Sequence, residues 1–183
     1  IQQLAVVPAC DPLDLAVQIA QVLWYIPDSV GRLLFPRVAS SPREEGNRLT
    51  PIACRNTVLL VGLGAVAVLL LGPAVIHGLF GKEFNRSVRP LFLLLPGILG
   101  LSVSKVLTKY LSGIGKPFYN SVASIGAFAI NAPLLYILIR RMGVDGAAIA
   151  SSIAYCVHAL VVLTFFVRES GVGPLTTLLP LFA

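Results

Sequence analysis

The chain has 183 residues, 56% of them hydrophobic and only 12% charged, with a formal net charge of +6. Soluble domains carry about 25% charged residues, so this composition excludes a disordered chain, a disulfide scaffold and an ordinary soluble enzyme. A mean hydropathy of +0.87 points instead to a polytopic membrane protein.

Crossing a hydrocarbon layer of about 30 Å takes about 20 apolar residues in a helix. The chain predicts spans at 12–38, 57–80, 90–112, 117–140 and 146–167. The first is the most polar and contains Pro27 and Pro36; besides spanning, it could lie flat as an amphipathic interfacial helix. A polar loop over 40–51 is expected to join it to the second span. Stretches 57–81, 117–139 and 146–167 hold no Asp, Glu, Lys or Arg, while the third span carries Lys105 and Lys109. Short Gly- and Pro-bearing links over 81–87, 113–117 and 142–145 force antiparallel neighbours. The expected fold class is therefore all-α, a polytopic membrane bundle of about five helices. Residues 172–183 form a tail that reads as the start of a further helix. The chain opens on Ile1 and its only methionine is Met142, so we expect a fragment, a processed chain or an excised domain. No basic segment followed by a short apolar core opens these residues, so no signal peptide is expected before the first span.

Lys and Arg count eight on the side of the 40–51 loop (Arg32, Arg37, Arg43, Arg48, Arg55, Lys109, Lys116, Arg168). The opposite side holds five (Lys82, Arg86, Arg89, Arg140, Arg141), so the positive-inside rule favours a cytoplasmic 40–51 loop. Dispersed in this way, without interleaved aromatics, the positive charge does not indicate nucleic acid. Cys10, Cys54 and Cys156 are widely spaced, and His77 and His158 sit in apolar stretches, so neither a metal site nor a disulfide framework is expected.

Polar residues fall on stripes. At 100° per residue, Asp14, Gln18, Gln21, Tyr25, Asp28 and Arg32 project within about 80°. Ser102, Lys105, Lys109 and Ser112 align on the third span. Asn120, Ser124 and Asn131 align on the fourth, and Ser151, Tyr155 and His158 on the fifth. Lipid cannot solvate such faces, since a central charge costs about 2.5–3.5 kcal/mol on insertion scales. They must meet each other or a water-filled path. Plainer roles compete. Lys109 near a helix end can snorkel. Asn131 can serve the carbonyls left unpaired by Pro133, and Ser151 and His158 can bridge helices. The small residues from Gly143 to Ser152 suit close helix packing. No nucleophile elbow, zinc-protease motif, Walker loop or dinucleotide fingerprint is present. The carboxylates Asp14, Asp28 and Asp145 stand isolated in sequence, so no catalysis and no cofactor are expected.

The order Tyr25-Ile-Pro27, Leu34-Phe-Pro-Arg-Val-Ala39, Leu79-Phe-Gly-Lys-Glu-Phe84, Leu93-Leu-Leu-Pro-Gly97, Lys105, Tyr110-Leu-Ser-Gly-Ile-Gly-Lys116, Asn131 and Gly143-Val-Asp-Gly-Ala-Ala-Ile-Ala150 carries a resemblance. It resembles the C-terminal half of polysaccharide flippases, within the multidrug/oligosaccharidyl-lipid/polysaccharide exporter superfamily. The likeness runs over roughly 14–171; the stretch before the first span lacks the Gly-x-Tyr expected there, and Arg140-Arg141 replaces an Ile-Pro-like ending. The resemblance implies a MATE-like second lobe that works with an N-terminal lobe absent from these residues. It implies movement of an undecaprenyl-diphosphate-linked oligosaccharide across a bacterial cytoplasmic (inner) membrane for polysaccharide or lipopolysaccharide biosynthesis. On that reading Lys105, with Arg32 and Lys109, offsets the diphosphate charge, and Gln18, Gln21, Asn131 and Ser151 line the path. A cation-coupled drug exporter of the same superfamily and a non-transporting membrane scaffold are the alternatives.

Overall fold

The computed structural model describes residues 12–80 and 88–178, with side chains over 23–72 and 89–177. The described residues fold into α1 (Pro12–Ser40), α2 (Arg43–Phe80), α3 (Val88–Gly113), α4 (Phe118–Met142), α5 (Val144–Ser170) and the short α6 (Pro174–Leu178). The expected all-α bundle is what forms. Among the described residues, four helices are long and apolar enough to cross a membrane: Arg43–Gly72, Arg89–Gly113, Phe118–Met142 and Val144–Ser170. This makes the chain a multi-pass membrane protein. The link at 81–87, with Lys82 and Arg86, and the tail end at 179–183 lie outside the described residues.

Two connections are shorter than expected. The polar stretch 40–51 is not a loop: only Ser41 and Pro42 separate α1 from α2. Hydropathy is blind to a polar helical turn, but local chemistry is not. Pro42 precedes the first helical residue, and Glu44 and Glu45 occupy the first turn, where carboxylates meet the positive helix end. The helix then passes Pro51, which donates no N–H, while the neighbouring Thr50 hydroxyl donates to the Gly46 carbonyl at 2.7 Å. At 1.5 Å per residue α2 is about 57 Å long, so its polar first turns can stand clear of the hydrocarbon. Between α4 and α5 the link shrinks to Gly143, whose φ of 59° a side chain would disfavour. Its N–H donates to the Ile139 carbonyl at 2.9 Å and closes α4.

The helix α3 is the hub. It packs on α5, α1 and α2, whereas α4 leans on α5 and barely meets α3. Without a hydrophobic drive between helices in lipid, close approach needs small residues. On α3, a Cβ added to Gly97 would stand 2.6 Å from the Ser152 Cα of α5, and Gly100 faces the Cys156 backbone in the same way. The expected small-residue packing of α5 is thus realised against α3. Leu59, Leu60, Leu63, Leu70 and Leu71 of α2 point outward, and so do Phe118, Ile125, Phe128 and Ile137 of α4.

Buried apolar residues form two layers. One gathers Leu91, Leu94, Leu95 and Ile98 of α3 with Leu23, Val61 and Ala148. The other gathers Val106, Leu107, Tyr110 and Leu111 with Leu34, Cys54, Val162 and Phe166. Where they meet on α3, three residues of one turn, Ser102, Ser104 and Lys105, are polar, while the fourth, Val103, belongs to the second layer. Ser102 and Ser104 are buried there, their hydroxyls returned to the Leu99 and Leu101 carbonyls.

Ion pairs tie the two ends. At one end Glu169 of α5 accepts from Arg43 of α2 at 2.7 Å, from Lys116 of the α3–α4 link at 2.7 Å and from Tyr119 at 3.0 Å. The Asn47 amide donates to the Ser170 carbonyl at 3.2 Å, and the buried Tyr110 hydroxyl donates to Asn47. At the other end Arg89 pairs with Asp145 at 3.3 Å. The start of α2, the α3–α4 link and the end of α5 therefore share one side, as the antiparallel order predicted. Asp145 is accordingly not isolated.

Candidate functional site

Lys105 is placed by α3 in the polar layer, half-buried, facing α1. Its Nζ lies 3.4 Å from Asp28 Oδ1 and 4.6 Å from the centre of the Trp24 ring. Asp28 reaches Arg32, one turn further on α1, at 2.7 Å. The expectation that Asp28 stands alone is corrected: it bridges two cations. A helical wheel shows which way a side chain points, not which helix faces it. Two positive groups share one carboxylate, so the cluster keeps a net charge of +1, and a cation over an indole face is further favoured. Trp24, Tyr25, Asp28 and Lys105 line a cavity of about 130 Å³. Arg32 is 76% exposed at its side chain. Lys109, one turn beyond Lys105, is half-buried with its stem lying across Gly31.

A second cavity, of about 270 Å³, opens between α3, α4 and α5. Leu101, Ser124, Phe128, Asn131, Tyr155 and His158 line it, with two alanines. Ser124 Oγ and His158 Nε2 are 3.5 Å apart. Asn131 Oδ1 and His158 Nδ1 are buried and have no hydrogen-bond partner. Among the described residues the Asn131 amide makes no hydrogen bond to a carbonyl before Pro133, and the residue lines the cavity. The two cavities are neighbours. Leu101 lines one and Lys105, one helical turn on, lines the other. Tyr155 of the larger cavity lies 6.3 Å from the Trp24 ring of the smaller.

Of the predicted stripes, Tyr25, Asp28 and Lys105 line the smaller cavity and Ser124, Asn131, Tyr155 and His158 the larger one. Lys105 and Arg32 come together through Asp28, while Asn131 sits in the adjoining cavity. Ser151 does not join them. It is half-buried and lines neither cavity, while the next residue, Ser152, donates to the Leu93 carbonyl and serves packing. One residue of phase is a 100° rotation. The side chains of Gln18 and Gln21 lie outside the described residues, as does that of Asp14. Sequence reasoning missed Trp24, whose indole N–H is buried without a partner. Its place one turn before Asp28 was the available signal.

Comparison with known proteins gives one distant relative. The probable low-salt glycan biosynthesis flippase Agl15 of Haloferax volcanii is 24% identical over 156 residues, which is 80% of this chain. The match covers 32% of that protein, so this chain spans about a third of its length. No protein-family model matches the chain. No solved structure matches it either. The relative comes from an archaeon, so it gives no support to a specifically bacterial membrane.

Proposed function

We propose that this chain is part of a lipid-linked glycan flippase, contributing helices of a second lobe that encloses the path together with a first lobe. The cargo is an oligosaccharide on an undecaprenyl diphosphate, moved out of the cytoplasmic leaflet of a bacterial inner membrane for envelope polysaccharide synthesis. The observation that carries the proposal is the Lys105–Asp28–Arg32 cluster. It sits in the polar layer between two apolar ones, beside an open cavity, with one positive charge in excess. A diphosphate brings the charge this cluster lacks. Lys105 would exchange Asp28 for a phosphate oxygen, with Arg32 and Lys109 a turn away on either helix. The distant likeness to a protein named as a glycan biosynthesis flippase supports the same reading. The excess of Lys and Arg beside Ser41-Pro42 supports a cytoplasmic position for that end.

Replacing Lys105 by Ala in the full-length transporter tests the proposal. Polymer export should fall at unchanged protein level; wild-type export would remove Lys105 from the path. A cation-coupled drug exporter is the second reading, favoured by the carboxylate of Asp28 midway along α1. That carboxylate is already engaged by two cations, which leaves it a poor coupling site. Sodium- or proton-dependent dye efflux would overturn this preference.

A further inference from the structure

Arg55 is a cation that the charged cluster does not explain. It is half-buried on α2, and its depth is fixed in two ways. Arg43 is tied to Glu169 at the end of α5, and Arg55 lies about 18 Å further along α2 at 1.5 Å per residue. Gly46 faces Val38 and Gly64 faces Leu23, so the antiparallel α1 and α2 set Arg55 level with Gly31, across which Lys109 lies. Helices as long as α3, α4 and α5 project about 5 Å beyond each edge of a hydrocarbon layer of about 30 Å. Arg55 therefore stands about 13 Å inside that edge, and Arg48 close to it. A guanidinium at such a depth is costly unless something answers its charge. Among the described residues nothing does. Neither Arg55 nor Arg48 makes an ion pair, although Glu44 stands one turn from Arg48. Asp28, near the same level, is engaged by Lys105 and Arg32. The short α6, which packs on α2, carries no charge.

The direction of the side chain says where the answering charge comes from. At 100° per residue, Arg48 and Arg55 lie within about 20° of each other. They point at least about 130° away from the middle of the buried row Thr50, Cys54, Thr57 and Val61. Both arginines look out of the bundle. Gly62 aside, their face continues through Leu59, Val66 and Leu70, all exposed. A neighbouring helix bringing a carboxylate would need small residues for close approach. Bulky aliphatics are instead what acyl chains cover. Helix side chains lean towards the N-terminus, here the end that the excess of Lys and Arg favours as cytoplasmic. Arg55 thus leans towards Arg48, rooted about 10 Å nearer the interface. Two planar guanidinium forks can close on the oxygens of one phosphate.

We infer that this flank of α2 binds an anionic phospholipid of the cytoplasmic leaflet. The phosphate is drawn in between Arg48 and Arg55, and the chains lie along Leu59, Val66 and Leu70. A zwitterionic lipid fits less well, because its own ammonium follows the phosphate towards the two arginines. The site is independent of what the cavity beside Lys105 carries.

The test titrates the full-length protein in mild detergent with phosphatidylglycerol or with phosphatidylethanolamine of the same chains, reading melting temperature by calorimetry. In the wild type phosphatidylglycerol should raise it more. Arg55→Leu should lower the apparent affinity for phosphatidylglycerol about tenfold, and Arg48→Gln about threefold. The lipid-free melting temperature of Arg55→Leu should hold or rise, because a membrane-facing charge is removed; if that variant fails to fold, Arg48→Gln carries the test. Arg168→Gln, exposed at the same end, should leave the lipid response unchanged. Lys105→Ala should keep it too, while weakening the binding of soluble farnesyl diphosphate. Equal responses of the wild type to the two lipids would overturn the site. So would an undiminished phosphatidylglycerol response in Arg55→Leu and Arg48→Gln, or an equal loss in Arg168→Gln. If Arg55→Leu abolishes farnesyl diphosphate binding and spares the phosphatidylglycerol response, the arginine serves the cargo and the lipid site is refuted while the flippase reading stands.

Discussion

The two sides of α3 are built on opposite principles. Towards α5 it offers Gly97, where there is no room for a methyl group, and Gly100, where a methyl group would stand a tight 3.3 Å from the Cys156 Cα. Towards α1 it offers Lys105, a loose 3.4 Å ion pair and an open cavity. Around Gly97 the hydroxyls are returned to carbonyls: Ser152 to Leu93, and Ser102 and Ser104 to their own helix. The loose side keeps Trp24 Nε1 unpaired and exposes Arg32. Rigidity and readiness to exchange partners are thus assigned to different faces of one rod. A transporter needs both, since a site that moves must be carried by something that does not.

Substitutions on each side should separate these roles. The largest effect is expected from Gly97→Leu, which drives a side chain into the Ser152 backbone; overpacking costs about 1–3 kcal/mol or more, and a backbone obstacle cannot turn aside. Loss of the monodisperse peak in size-exclusion chromatography after mild heating would show it. An unchanged melting profile would mean the two helices are not in such close contact. Next comes Lys105→Ala on the loose side. Transport should fall by about tenfold or more while stability stays near wild type, because Asp28 retains Arg32. A matching loss of stability would make Lys105 structural and dissolve the contrast.

Asp28→Asn should act in the opposite direction. It removes the carboxylate that competes for Lys105, so farnesyl diphosphate should bind about threefold to fivefold more tightly, at the scale of one partly exposed ion pair. Weaker binding would show that Asp28 orients Lys105 rather than competing for it. The smallest effect belongs to the rim. Glu169→Gln loosens the pairs with Arg43 and Lys116, both partly exposed, for about 1 kcal/mol or less. The difference in melting temperature from wild type should shrink in high salt, because screening already weakens the wild-type pairs.

Much of this architecture was legible, for identifiable reasons. Uncharged stretches at 57–81, 117–139 and 146–167 can only be apolar helices at that length, and apart from Pro117 they are helical throughout their described parts. The stripe through Ser102 and Lys105 announced a polar layer because 3.6-residue periodicity is a property of one helix alone. Pairing is a property of two helices. Nothing in the order of residues says that Lys105 meets Asp28, seventy-seven positions away, or that Asp145 meets Arg89. Ser151 and Ser152 differ by one residue of phase, and only the packed bundle decides which faces α3. The extra turns of α2 over 43–51 escaped hydropathy, yet Pro42 with Glu44-Glu45 was a helix-start signal in plain view.

Trp24 is the sole indole among these 183 residues, and it rests against the Lys105 ammonium on one side and near the Tyr155 phenol on the other. The chain therefore carries an intrinsic fluorophore at the boundary between its two chambers. Ammonium drawn off the ring by an arriving anion, or a phenol displaced by a bulky neighbour, would each alter its emission, so occupancy of either chamber can be followed by light without attaching a dye.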